Sequence, residues 1–234
     1  MLLNYLAPML LLISLNQATG RGSNPNLESR KEPISYRGGK STPLLAAINI
    51  ALADRIPLGV IFGSGQSMCE KEIEYDFTKM TRLDALRMVV KDTGYTIVLR
   101  DDVYNLVAPD ITERERKAMT FRFKWFRAPS TTMADLGMRL NGYISTSIEG
   151  AKGFATSSLG STDDEIISFN ELQNVTSLQV ANRIVTSGSR GVWLMHTTPS
   201  SGSTEPDSTT FNIFSYHDSR DRLTKISCPP WLQK

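Results

Sequence analysis

Two segments of the chain share one pattern of apolar and polar positions. Residues 81–94 read TRLDALRMVVKDTG and residues 176–188 read TSLQVANRIVTSG. In each segment a threonine precedes apolar residues spaced three and four apart, and a glycine follows, as in a capped amphipathic helix. Aligning the threonines pairs apolar residues at four positions: Leu83 with Leu178, Leu86 with Ala181, Val89 with Ile184, and Val90 with Val185. We therefore expect two helices with equivalent buried faces inside a duplicated unit.

The sequence around the first of these helices predicts a small α+β unit over residues 33–109. Another helix begins at Thr42-Pro43, because threonine is a good N-cap and proline suits the first helical position. Its apolar stripe is Leu44, Leu45, Ile48, Ala51 and Leu52. Apolar and alternating runs predict strands at 34–36, 60–62, 72–77, 95–99 and 103–108, the last two joined as a hairpin at Asp101-Asp102. The predicted order is strand–helix–strand–strand–helix–strand–strand.

The same order is predicted for a second unit over residues 119–218, after a charged linker at 110–118. Strands are expected at 119–126, 143–149, 165–169, 191–197 and 211–217, with helices at 133–140 and 175–187 and long loops at 150–164 and 199–209. The first helix should end at Asn141-Gly142. We therefore predict an α+β protein of two tandem βαββαββ units, each with helices on a small mixed sheet, and a tail at 219–234.

The N-terminus departs from this pattern. Residues 1–20 carry no charged side chain, contain the apolar run Met9–Ile13, and are followed by a polar leader at 21–32. A short apolar segment of this kind is typical of a secretory signal peptide rather than a spanning helix. A buried helix and an uncleaved anchor remain alternatives, because the α-amino group is the segment's only positive charge. We expect an exported bacterial protein that is periplasmic or associated with the outer membrane, with secretion as the alternative.

Composition narrows the classes of partner. The apolar fraction of 40% and the charged fraction of 21% are those of a globular protein. A net charge of +2 gives no strong field for nucleic acid or an anionic membrane. Phe121, Phe123 and Trp125 alternate with Arg122 and Lys124, a pattern also seen where aromatic side chains stack on bases. One buried and one solvated strand face explains this alternation better, so we expect no nucleic-acid partner.

The chain has two cysteines, Cys69 and Cys228, far apart in sequence and outside any CxxC metal pattern. A disulfide between them suits an exported protein and would stabilise the fold by about 4–5 kcal/mol in the chain-entropy model. Two unpaired thiols are the alternative that the spacing leaves open.

The chain also has two histidines, His196 and His217, both in predicted strands of one hairpin. They would need a third ligand, such as Asp218 or Asp221, to bind a metal, and an oriented carboxylate to activate a serine. No nucleophile elbow, phosphate loop or dinucleotide motif occurs in the sequence. We therefore expect no catalytic residues, cofactor or metal, and a protein that is not an enzyme.

The first unit resembles the short N-terminal domain of secretins and TonB receptors, the STN domain. The residues that carry the resemblance are Ile34-Ser35-Tyr36, the helix Leu44–Ala53, Leu58-Gly59-Val60-Ile61, Tyr75-Asp76-Phe77, Leu83-Asp84-Ala85-Leu86 and Thr93-Gly94-Tyr95-Thr96. It implies a small envelope domain that docks proteins. The second unit is similar to the ring-building N-domains of secretins in element order alone. No long β-barrel region follows in this sequence, so we expect neither a pore nor a receptor barrel.

These observations favour a non-catalytic docking or scaffold protein of the bacterial cell envelope, an accessory of a secretion or TonB-type signalling system. Its expected partners are secretin or outer-membrane receptor components, and a homo-oligomer is compatible with the pattern. The alternative is an exported hydrolase or small-ligand-binding protein with a site between the two units. The long loops and the histidine pair favour that alternative.

Overall fold

The computed structural model describes residues 33–63, 67–149, 165–198 and 208–216. Its elements are β1 (Gly38–Ser41), α1 (Pro43–Ala53), β2 (Leu58–Ile61), β3 (Ile73–Asp76), α2 (Arg82–Val90), β4 (Thr96–Arg100), β5 (Val103–Val107), α3 (Glu113–Thr120), β6 (Arg122–Thr132), α4 (Met133–Ile144), a π-helical turn (Ser145–Glu149), β7 (Ile166–Thr176), α5 (Ser177–Thr186), β8 (Gly191–Thr198) and β9 (Ser208–Ser215). The predicted α+β class is confirmed. The expected signal peptide, leader and tail lie outside the described residues, as do His217 and Cys228.

One five-stranded sheet runs through both halves of the chain, in the order β4–β5–β2–β8–β9. The central strand β2 is parallel to β5 on one side and to β8 on the other, and the hairpins β4–β5 and β8–β9 form the two ends. Two antiparallel pairs, β1–β3 and β6–β7, form separate small sheets. Within the described residues, the two halves are therefore joined by backbone hydrogen bonds between β2 and β8.

Both faces of the three inner strands β5, β2 and β8 are buried. On one face Val192 and Leu194 of β8 join the core formed with α1 and α2. On the other face Ile61 of β2 and Val103 of β5 join the core formed with α3, α4 and α5. Each core thus contains residues from both halves. The aligned positions that open the sequence analysis are buried in both helices at Leu86, Val89, Val90, Ala181, Ile184 and Val185.

Trp193 of β8 fixes the packing at the centre of the sheet. Its indole is fully buried and lies across Gly59, where an added Cβ would come within 2.2 Å of Trp193 Cζ2. The indole Nε1–H donates to Asn182 Oδ1 over 2.9 Å. The Asn182 amide donates in turn to the backbone oxygen of Arg100 and to Asp101 Oδ2, both at 3.3 Å. This network joins α5 to the β4–β5 turn.

The element order predicted for residues 33–109 is observed, but the first strand is displaced. The strand expected at 34–36 lies instead at Gly38–Ser41. Gly38 has a φ of +112°, and a Cβ there would come within 2.2 Å of the Tyr75 backbone oxygen. Gly38 therefore allows β1 to approach β3 closely, as a residue within the strand.

The second half departs from prediction at residues 143–149. The strand expected there is helical: α4 continues through Asn141 and Gly142 to Ile144, and the π-helical turn follows. Asn141 does not end the helix because its side chain is engaged by β9, 70 residues away. The strand β6 also continues through Pro129 to Thr132. Thr132 caps α4, which begins at Met133 as predicted.

The expected linker at 110–118 contains the helix α3. Thr112 and Glu115 form a capping box, and Glu115 is only 2% exposed. Ala118 and Met119 pack into the core of the second half. The charged segment is therefore a packed helix in which Glu113, Arg116 and Lys117 are exposed and Glu115 is buried. In the described residues no helix has the length and hydrophobicity needed to cross a bilayer.

Candidate functional site

The outer edge of β4 is the most exposed apolar feature of the central sheet. Among the described residues β4 pairs only with β5, and Val98 and Leu99 are 46% and 41% exposed. Met88 on the neighbouring helix α2 is also exposed. The five residues read TIVLR, with no proline, no lysine and an unbroken register against β5. Proteins often protect an edge strand with a proline, a lysine or a β-bulge. The β4 edge has none of these, so it is a candidate site for strand addition.

The turn at Asp101-Asp102 determines which backbone groups of β4 face outward. Both residues have positive φ, 51° and 62°, as in a two-residue type I′ turn. Such a turn closes with a hydrogen-bonded pair, here Arg100 and Val103. Hydrogen-bonded pairs alternate along an antiparallel ladder, so the N–H and C=O groups of Ile97 and Leu99 point away from β5.

The opposite edge of the sheet, β9, is closed by a side chain of α4. The Asn141 amide donates to the Phe211 backbone oxygen over 2.8 Å, and its Oδ1 accepts from the Phe211 N–H at 2.7 Å. Asn141 is 6% exposed, and Gly137 lets α4 approach Ile213. A side-chain amide thus supplies the two bonds that an added strand would supply at this position. In the described part of the chain, the β4 edge is therefore open, and the β9 edge is closed by Asn141 at Phe211.

A second exposed surface is an aromatic groove of about 660 Å³ between α4 and the β6–β7 pair. Trp125 and Tyr143 are 54% and 48% exposed on its rim. The Arg127 guanidinium lies 5.5 Å from the centre of the Trp125 ring and is hydrogen-bonded to Glu171. The alternation expected in β6 fails at Trp125: Phe123 and Phe126 are buried, and the register shifts just after Phe126.

A third feature is a groove of about 490 Å³ beside the β4–β5 turn, between the two halves. Its charged lining residues are Arg82, Asp101, Asp102, Arg183 and Arg190. The Arg190 side chain donates to the Arg55 backbone oxygen over 3.2 Å, and the Arg183 guanidinium lies 5.9 Å from the centre of the Phe169 ring. These contacts hold two of the three guanidinium groups in place.

His196 does not line either groove. It is 9% exposed in β8, with Nε2 at 3.1 Å from Thr210 Oγ1 and Nδ1 at 3.4 Å from Asn212 Nδ2 on β9. Burial lowers the pKa of its imidazole to about 4, because the charged form loses hydration there. His217 lies outside the described residues, so its pairing with His196 stays a prediction.

The other candidate chemistry in the sequence was a metal site and the two cysteines. No group of three or more His, Cys, Asp or Glu side chains is placed there to hold a metal ion. No cysteine of this part is free, and Cys69 packs against the core formed with α1 and α2. Cys228 lies outside it, so the disulfide between the two stays a prediction.

Comparison of the chain with protein-family models, with curated proteins and with solved structures finds no match.

The open and closed edges were not singled out from the sequence. A short apolar run such as Ile97–Leu99 looks the same in an edge strand and in an internal strand. A signal for Asn141 was present, because the apolar period of α4 includes Leu136, Leu140 and Ile144 and continues past the expected stop.

Proposed function

We propose that this chain is a non-catalytic docking protein of the bacterial cell envelope, exported by its N-terminal signal peptide. It serves as an accessory of a secretion or TonB-type signalling system. The observation that carries the proposal is the open edge of β4, with exposed Val98 and Leu99, in a sheet whose other edge is closed. Strand addition at such an edge uses main-chain hydrogen bonds for affinity and side-chain contacts for specificity.

The proposal includes the STN-like nature of the first half and the tandem arrangement of two related units. The order of elements from β1 to β5, and the burial of equivalent positions in α2 and α5, support this interpretation. The helical course of residues 143–149 is a difference between the two halves that a common origin must accommodate.

Site-specific photo-crosslinking tests the docking edge. A photoreactive residue at Val98 is expected to capture a protein in envelope fractions. The same residue at Asn212, exposed on the closed edge, serves as the matched control and is expected to capture none. Equal labelling from both positions, or none from Val98, refutes docking at β4. The mass of the exported protein tests cleavage near residues 19–21.

The groove between the halves favours a second candidate, a protein that binds a small anionic ligand. Three arginines and two aspartates line it, and Arg190 and Arg183 are held in place by the contacts described above. Arg183→Gln with Arg190→Gln is expected to abolish such binding in a screen of phosphorylated and carboxylated small molecules. Replacing both histidines by alanine tests the hydrolase version, since only an enzyme that uses them loses activity.

A further inference from the structure

We infer that the open edge of β4 pairs with β4 of a second copy of this chain, in antiparallel orientation about a two-fold axis at Val98. The inference rests on the proposed docking role of this edge and names its partner. Such a dimer would extend the five-stranded sheet of each copy into one continuous sheet of ten strands.

The orientation of the backbone groups supports this register. With the axis at Val98, Ile97 of one copy lies opposite Leu99 of the other, and this pair occurs twice. The N–H and C=O groups of both residues point outward, so each pair exchanges two hydrogen bonds. An axis at any other residue pairs fewer of the five positions from Thr96 to Arg100.

The side chains are also compatible with a second copy. Val98 faces its own equivalent in a non-hydrogen-bonded pair, where side chains are closest. Thr96 lies opposite Arg100, so no like charges meet in the strand pair. On the other sheet face Ile97 meets Leu99. Apolar contacts therefore form on both faces, and the surface is self-complementary, as a two-fold interface requires.

The size of the contact defines its strength. Two five-residue strands bury less than the roughly 1,200 Å² of a standard stable interface. We therefore expect a weak, reversible dimer that forms at high protein concentration or when a shared envelope partner brings two copies together.

Disulfide trapping tests the register. The variant Val98→Cys places two thiols opposite each other across the axis, at a separation that a disulfide spans. Mild oxidation of the purified full chain is expected to give a covalent dimer on a non-reducing gel. In the Thr96→Cys variant the two thiols lie roughly 14 Å apart, at about 3.4 Å per residue along the strand, so no disulfide-linked dimer forms. A mixture of Thr96→Cys and Arg100→Cys is expected to give a mixed dimer.

A charge swap tests the axis without cysteines. Val98→Lys and Val98→Glu each place like charges on the axis, and each variant is expected to sediment as a monomer. Their mixture restores a dimer. Because Val98 is exposed, circular dichroism and melting should match those of the native protein, which excludes a folding defect.

The outcomes separate the two proposals. Trapping of Thr96→Cys as fast as Val98→Cys, or a native chain that stays monomeric at every concentration with no Val98→Cys dimer, overturns the two-fold pairing. If a photoreactive residue at Val98 then still captures a different protein, the docking role stands and only its partner changes. If it captures nothing, both proposals fail.

Discussion

Acidification should destabilise the fold through His196, because its buried imidazole resists protonation. In the folded state the pKa of His196 is about 4, whereas an unfolded histidine has a pKa of about 6.5. As the pH falls below about 6.5 the unfolded chain binds a proton that the folded chain does not bind. The contribution of His196 to the free energy of unfolding is therefore highest above about pH 6.5 and is lost progressively down to about pH 4.

The size of the effect follows from the difference between the two pKa values. A difference of about 2.5 units corresponds to about 3 kcal/mol when fully developed, and to about 2 kcal/mol at about pH 5. His196 is 9% exposed, so solvent screening reduces the effect little. A loss of this size is a large fraction of the marginal stability of a folded domain.

Urea unfolding of the native chain and of His196→Gln at about pH 8 and about pH 5 measures this contribution. Glutamine fills similar space and can bond Thr210, but it does not titrate. The variant should lose about 2 kcal/mol less than the native chain over this range. His217→Gln is the control for the other histidine and should retain the native loss. If His196→Gln and the native chain lose equal stability, the assigned burial of His196 is wrong.

Two further predictions concern stability, and a third concerns the disulfide. Gly59→Ala should cost about 1–3 kcal/mol, because its methyl group would overlap the Trp193 ring and come within 2.8 Å of Asn105 Oδ1. In a Trp193→Leu background urea unfolding should show a smaller cost, because the overlap with the ring is gone while the Asn105 contact remains. Asn141→Ala should cost roughly 2–4 kcal/mol, because it leaves the Phe211 N–H and C=O without their partner. Ser130→Ala serves as the control, and an equal loss of stability in that variant would contradict this reasoning. The two cysteines should resist alkylation in the unfolded, unreduced protein, as intact mass will report, and uptake of two alkyl groups would disprove the disulfide.

Local signals along the chain predicted the starts of α1, α2 and α5 correctly. Thr42, Thr81 and Thr176 each cap a helix as predicted, with the side-chain oxygen accepting a backbone N–H three residues later. The hairpin at Asp101-Asp102 was also predicted from neighbouring residues alone. These features depend on groups within four positions in the chain, so the sequence pattern is sufficient to place them.

Two failures occurred where a distant contact decides the local structure, whereas α3 was missed although its capping box of Thr112 and Glu115 is a local signal. Asn141 continues a helix instead of ending it, because Phe211 occupies its side chain. The pairing of β2 with β8 joins residues more than 100 positions apart, and no periodicity in either strand encodes a choice of neighbour. The candidate site is hard to predict for the same reason, because a strand is known to lie at an edge only when the positions of the other strands are known.

The shared sheet connects the candidate docking edge to the rest of the molecule. The Asn182 amide donates hydrogen bonds to Arg100 and Asp101 in the turn that ends β4. The buried Trp193 indole donates a hydrogen bond to Asn182. Trp193 in turn packs over Gly59 of the central strand. A partner strand on β4 therefore adds to a sheet whose position is fixed by the core of the second half. An edge held in this way loses little conformational entropy when a strand is added, which favours binding by a preformed surface over folding upon binding.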